Sequence, residues 1–361
     1  MSSVPYLANT GGYTAYRIPV LANAPDGSLL AIAEGRKNSS ADSGEIDIAS
    51  RRSTDGGTTW GPLTLVTSHG VNTAGNPAIV TDPASGDLVL ISCGNDGDAT
   101  ETDILKGLAT RQVYVQRSTD SGATWTTPVD ITAQAKASWM RWYATGPGRG
   151  LAVTSGVHPG RLVVPANHSR VPATGSTDTG AESKYLGGHG LVSDDGGHTW
   201  QITWTSSNPT GGLNENETAA VELPDGRLYF NCRDQYGTVA GTRADAWSAD
   251  GGSTLQSAFR VQGTITTPVV HGSLLQVPGG PLLYAGPEHP DGRVAMAIRR
   301  SDDGGVTWRT CRLISGLHAA YSSMAMLDAT TVGLLYETGD WTPYDRIELV
   351  AVPVAELDGA A

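Results

Sequence analysis

Only three cysteines occur in the 361 residues, Cys93, Cys232 and Cys311, 139 and 79 residues apart. An odd, widely spaced set excludes a dense disulfide framework and a metal knuckle, so they read as free thiols. Basic residues are also short, with 24 Lys and Arg against 36 Asp and Glu and a formal net charge of −12. That balance excludes nucleic acid and an anionic membrane surface as partners, since both need a basic face. Any anionic ligand must then be held by a local cluster of arginines. No run of about 18 apolar residues occurs, so no membrane insertion is expected. The opening "MSSVPYLANTGGYTAYRIPV" lacks the basic start and apolar run of a leader, and the chain reads as soluble, either cytoplasmic or secreted with its leader removed. No H-E-x-x-H, G-x-S-x-G or P-loop motif is present, which leaves metalloprotease, α/β-hydrolase and nucleotide-binding readings unsupported. "NDGDATETD" (95–103) has the look of a calcium loop, but Glu101 stands where the required Gly should be. It reads as a solvated rim loop, and the expectation is that no metal and no organic cofactor is needed.

Glycine and proline are plentiful, 46 and 20, and little recurs at helical spacing, which favours many short strands joined by tight turns. One turn repeats. "STDGGTTW" at Ser53 returns as "STDSGATW" at Ser118, "SDDGGHTW" at Ser193, "SADGGSTL" at Ser248 and "SDDGGVTW" at Ser301, at steps of 65, 75, 55 and 53 residues. Each copy follows a Gly-containing turn that feeds an apolar strand, such as "PDGSLLAIAE" at 25 or "PDGRLYFNCR" at 224. A sixth such unit, "LDATTVGLLYE" at 327, has no Asp-bearing turn after it. Six units predict an all-β fold, a six-bladed β-propeller of four-stranded antiparallel blades, forming one domain over 1–361. The last blade is expected to close by pairing a strand near Tyr16–Leu21 with "RIELVAVPV" (346–354). In the repeated turn the Asp accepts from backbone N–H groups, the glycines tolerate φ > 0 and Trp buries an apolar face. A catalytic centre is needed once, so these five Asp residues read as structural.

A site on a repeated scaffold should appear as residues that break the repeat. Arg17 in "YRIPVL", Arg233 in "YFNCRD" and Arg293 in "DGRVAMAIRR" each adjoin a strand of a different unit, and a radial fold can aim all three at one axis. Three convergent guanidiniums would make a strong carboxylate pocket. In order along the chain come "YRIP", "AEGR", "NETAAVEL", "NCRD", "AAYSS" and "GLLYE", with the five Asp boxes set between them from Ser53 to Ser301. This ordered set resembles the exo-α-sialidases, the family 33 glycoside hydrolases of bacterial type, over essentially the whole chain.

The resemblance implies release of terminal α-linked sialic acid from a sialylated glycan, with Arg17, Arg233 and Arg293 binding the substrate carboxylate. Glu337 would pair with Arg17, and Arg36 would line the pocket near the glycone O4. Asp42 would be the general acid/base and Tyr321 the nucleophile, with Glu217 as its partner. The offsets Glu217 to Arg233 and Tyr321 to Glu337, both 16 residues, suit that pattern. Sialidases use Tyr where most retaining glycosidases use a carboxylate. The substrate carries its own carboxylate on the anomeric carbon, and a carboxylate nucleophile would meet like charge in a poorly screened pocket. A neutral phenol avoids this but, with an ordinary pKa near ~10, needs a base beside it.

Competitors stay in view. Asp47 lies in the alternating strand pattern after Asp42, whose Ser-rich loop better suits a mobile acid. Glu215 lies two residues from Glu217 on the same face of a strand, and the offset to Arg233 favours Glu217. Glu222, beside a turn, reads as facing solvent. Asp96 or Asp98 would reach the glycone from the 95–103 loop, and "WMRWYATGPGRG" (139–150) would wall the pocket or pack between blades. A trans-sialidase or a hydrolase preferring the deaminated sugar KDN would use the same residues, and a non-catalytic carbohydrate-binding propeller is the alternative of a different class.

Overall fold

The structure, a computed structural model, describes residues 1–359. It is all-β, and among the described residues the α-helical segments are two short ones, Glu101–Leu105 and Thr132–Ala135. The strands form antiparallel meanders grouped by hydrogen bonding into sheets of seven, five, nine and four strands. In the largest sheet one meander begins Ala15–Asn23, Leu29–Arg36, Ile46–Ser53, and meets the next through the single parallel pair Ile46↔Thr73. In the seven-stranded sheet the long strand Arg309–Asp328 pairs with Val294–Ser301 through its first part and with Thr331–Gly339 through its second. Among the described residues the buried apolar side chains fall into several clusters rather than one central core. Apolar side chains of neighbouring meanders interlock, as when Val80 and Ile91 pack with Tyr143, Val164 and Leu191 in one buried cluster. Each such burial contributes on the order of 1.5–3 kcal/mol.

The five repeated turns are built alike. Ser Oγ donates to the Asp Oδ1 at 2.7–2.8 Å, and the second Gly N–H donates back to that Ser Oγ at 2.8–3.0 Å. The Thr side chain donates to Asp Oδ2 at 2.6 Å in all five. Every Asp is thereby committed to its own turn. In the second copy Ser121 replaces the first Gly and still adopts the left-handed φ of 59° that the turn demands.

One expected pairing is different. The strand on Arg346–Pro353 is Ser2–Leu7, in the register Ser2↔Val350 and Leu7↔Arg346, whereas Tyr16–Leu21 lies in Ala15–Asn23 and pairs with Leu29–Arg36. Burial explains the exchange. Ser2–Leu7 is largely exposed on one side, as suits an outermost strand, while Ala15–Ala22 is buried on both faces and Leu21 N–H donates to Ser323 Oγ at 3.0 Å.

Candidate active site

Bulges set the site. The register slips between Arg17 and Val20, Gly75 and Ala78, Met140 and Tyr143, Glu215 and Thr218, Val294 and Met296, and Ala319 and Ser322. Each slip re-aims a side chain out of the pleat, as bulges beside functional sites do. Ile18, Asn76 and Ala295 carry the associated left-handed backbone, with φ of 57°, 51° and 63°. Such conformations are strained for residues with a Cβ and persist only where the surroundings over-determine them.

All eight sequence-predicted residues come together. Asp42, Arg36, Glu217, Arg233 and Tyr321 line one cleft with about 600 Å³ of empty space. Tyr321 Oη donates to Glu217 Oε1. Arg233 Nη1 donates to Glu217 Oε2 at 2.9 Å and to Tyr321 Oη at 3.0 Å. The guanidinium carbons of Arg17 and Arg293 lie 5.2 and 5.8 Å from the Tyr321 ring centre. Behind them Glu337, fully buried, accepts from Arg17 Nε at 2.8 Å and from Tyr321 N–H at 3.1 Å. Arg36 Nη1 donates to Asp42 Oδ1 at 2.6 Å, and Arg17 Nη1 lies 3.7 Å from the same oxygen. Arg233 Nε is buried with no hydrogen-bond partner.

The charges separate the roles. Burial pushes the Tyr321 phenol well above its ordinary pKa, and the Glu217 carboxylate adds to the rise. Burial also works to raise Glu217, but Arg233 and the Tyr321 hydrogen bond outweigh it and hold Glu217 below its usual value. The pair is therefore a protonated phenol facing an ionised carboxylate. For Asp42, desolvation over the cleft works upward while Arg36 and Arg17 outweigh it and hold it low. His271 stacks on Tyr321 with ring centres 5.3 Å apart, and burial pushes its pKa down to about 4.

The competitors fall outside. Asp47 is spent on Tyr13 Oη at 2.9 Å and Lys37 Nζ at 3.3 Å. Glu222 is not simply solvent-facing, because it accepts from the backbone N–H groups of Thr154 and Ser155 at 2.7 and 2.9 Å. Asp96 and Asp98 are exposed, and the 95–103 segment is more than a solvated loop: a capping box at Thr100 and Asp103 starts a short helix that brings Glu101 to the cleft. Trp142 does wall the cleft, while Tyr143 packs in the core. Among the lining residues that the sequence does not announce are Glu34, Asn76 and Arg111. "GNPAIV", a polar residue before Pro in an apolar strand, was the available signal for Asn76.

Glu215 is buried opposite Asp234, with its Oε2 unpartnered. Burial pushes its pKa up to about 7. Its neutral form is favoured in the fold, so that contribution is complete below about pH 4.5 and is lost as pH rises toward 7. Glu215→Gln should stabilise the protein at pH 8 by up to roughly 3 kcal/mol and leave stability at pH 4 unchanged, as read by urea denaturation at both pH values.

Residues 27–334 match the BNR repeat-like domain family. A sialidase of Bacteroides fragilis is 30% identical over 352 residues, covering 90% of this chain and 60% of the relative. A sialidase of Micromonospora viridifaciens is 32% identical over 361 residues, covering 94% and 52%. The chain thus spans about half to three-fifths of the length of these curated relatives. Among solved structures, Hadza microbial sialidase Hz136 superposes with a TM-score of 0.82 at 30% identity, covering 99% of this chain and 69% of that one. The leech intramolecular trans-sialidase, complexed with 2,7-anhydro-Neu5Ac, shares the fold with a TM-score of 0.79 at 20% identity, covering 99% and 71%. With its repeat turns, its cleft and these relatives in agreement, the chain belongs to the sialidase family and carries a BNR repeat-like domain.

Proposed function

We propose that this chain is an exo-acting, retaining sialidase that releases terminal α-linked sialic acid from glycoconjugates through a covalent intermediate on Tyr321. The observation that carries the reading is the Tyr321–Glu217 hydrogen bond set among Arg17, Arg233 and Arg293. The arginines take the substrate carboxylate. Tyr321 Oη attacks the anomeric carbon as Glu217 accepts the phenol proton, and Asp42 gives a proton to the departing aglycone oxygen. Water then delivers a proton to Asp42 and attacks the same carbon, the bond to Tyr321 breaks, and Tyr321 recovers its proton from Glu217. Two displacements return the starting configuration. Asp42 must carry a proton for the first step, and the incoming carboxylate favours it by offsetting the arginine charge beside it.

The proposal extends to architecture: six four-stranded blades in a closed ring, one domain over 1–361, with the cleft at the axis. Six turn-and-strand units, five alike turns and the Ser2–Leu7 strand on the C-terminal sheet support it. Internal transfer to an anhydro sugar is the second reading, favoured by the fold shared with the leech enzyme. Fluorogenic α-sialosides of N-acetylneuraminic acid and KDN test both, with proton NMR of the first-formed product. The α-anomer is expected. Initial β-anomer contradicts retention, an anhydro product selects internal transfer, and no release from either sugar leaves a binding module.

A further inference from the structure

Two carboxylates at the cleft, Glu34 and Glu101, take no part in the steps above. Glu34 has the more demanding position, at 3% exposure. Its Oε2 accepts from Arg36 Nε at 3.0 Å and Nη2 at 2.6 Å. Its Oε1 accepts from Asn76 N–H at 2.7 Å, which fastens the bulge where Asn76 turns left-handed. Gly75 is required for that approach, because a Cβ there would lie 2.6 Å from Glu34 Oε1. Asn76 Oδ1 in turn accepts from Arg111 Nη2 at 2.9 Å. One carboxylate therefore ties the Leu29–Arg36 strand to the next meander. Residues 34 and 36 share a strand face, so the pair is local, but its charge reaches further.

Arg36 is shared. Glu34 holds two of its nitrogens, and the third donates to Asp42 and to Ser40 O, both at 2.6 Å. Asp42 faces Arg36 from that strand, Arg17 from Ala15–Asn23, Arg293 beside Val294–Ser301 and Glu101 from the short helix. Arg17 is neutralised by Glu337 and Arg233 by Glu217. For Arg36 the corresponding buried counter-charge is Glu34.

We infer that Glu34 is a positioning residue that, by neutralising Arg36, lets Asp42 hold the proton it must donate, while the same carboxylate anchors the Asn76 bulge. The inference rests on the reading of Asp42 as the general acid. Without the Glu34 charge, Arg36 would act on Asp42 uncompensated and favour its ionised form.

Glu34→Gln should move the high-pH limb of kcat/KM down by about one pH unit, an opposite-charge effect of the ordinary size. Activity above that limb then falls about tenfold, and the plateau below it changes much less. A merely structural role would lower activity at every pH and leave both the limb and the Asp42 titration in place, and would overturn the inference. Glu34→Asp, which keeps the charge, should leave the limb near its wild-type position. Arg36→Gln should raise it. If Glu34→Gln folds poorly, those variants still decide: a limb and an Asp42 titration both unmoved in Arg36→Gln overturn the inference. Carbon-13 titration of the Asp42 carboxyl, assigned with Asp42→Asn, gives a readout independent of turnover. A titration that shifts under an unmoved limb would reject Asp42 as the acid and uphold Glu34. A titration that stays put in Glu34→Gln would reject the Glu34 role itself.

Discussion

Tyr321→Phe is expected to lower kcat/KM on a sialoside with a natural sugar leaving group by about 10³–10⁴-fold, roughly 4–5.5 kcal/mol of transition-state stabilisation. The substitution removes one oxygen and little else. The phenyl ring keeps its stack on His271 and its place beside Arg17 and Arg293. Glu217 keeps its bond to Arg233 at 2.9 Å, so the buried carboxylate does not lose its counter-charge. The fold should survive, with circular dichroism and urea midpoint close to wild type. What disappears is the atom that bonds to the anomeric carbon and the proton that Glu217 takes. The residual rate would come from arginine positioning and from Glu217 beside a developing cation. Activity within tenfold of wild type would remove Tyr321 from the mechanism.

The sequence carried some of this plainly because the interactions concerned are short-range. Each repeated turn closes its hydrogen bonds within seven residues, so Ser, Asp, Gly and Thr announce it wherever it occurs. The two 16-residue offsets have a structural cause, since Glu217 and Arg233 lie on one hairpin and Tyr321 and Glu337 on another. Asn76 and Arg111 were hidden for the opposite reason. They reach the cleft through a bulge and a contact 35 residues apart in the chain, and the one local hint is the polar Asn76 before Pro77 in an apolar strand. Glu34 was visible as part of "AEGR", but nothing in that string shows that its second oxygen holds another meander. The N-terminal pairing is hidden in the sequence because Pro5 makes "SSVPYL" a weak strand by propensity, whereas an outermost strand tolerates it. Glu101 could have been read from the capping box in "TETD".

Glu337→Ala should cost about 3–5 kcal/mol of stability, because it strands a buried cation. Arg17 and Glu337 side chains are 5% and 0% exposed, and Glu337 Oε1 accepts from both Arg17 Nε and Ile18 N–H at 2.8 Å. Ile18 is β-branched, left-handed and followed by Pro19, a conformation that persists only because it is held. The other oxygen holds Tyr321 N–H at 3.1 Å. Alanine therefore releases a guanidinium, a strained turn and the backbone of the nucleophile at once. Glu337→Gln should fall between: its amide oxygen can still accept from Arg17 and Ile18, but its NH₂ would then face the Tyr321 N–H as a second donor. Urea denaturation reads the stability loss. Any folded fraction should also lose about 10²-fold or more in kcat/KM, since small displacements of positioned groups are costly to the reaction. A Glu337→Ala protein within about 1 kcal/mol of wild type would show that Arg17 is held by something else. Stability and activity should fall together here, whereas Tyr321→Phe should separate them, because Glu337 fixes the scaffold on which Tyr321 reacts.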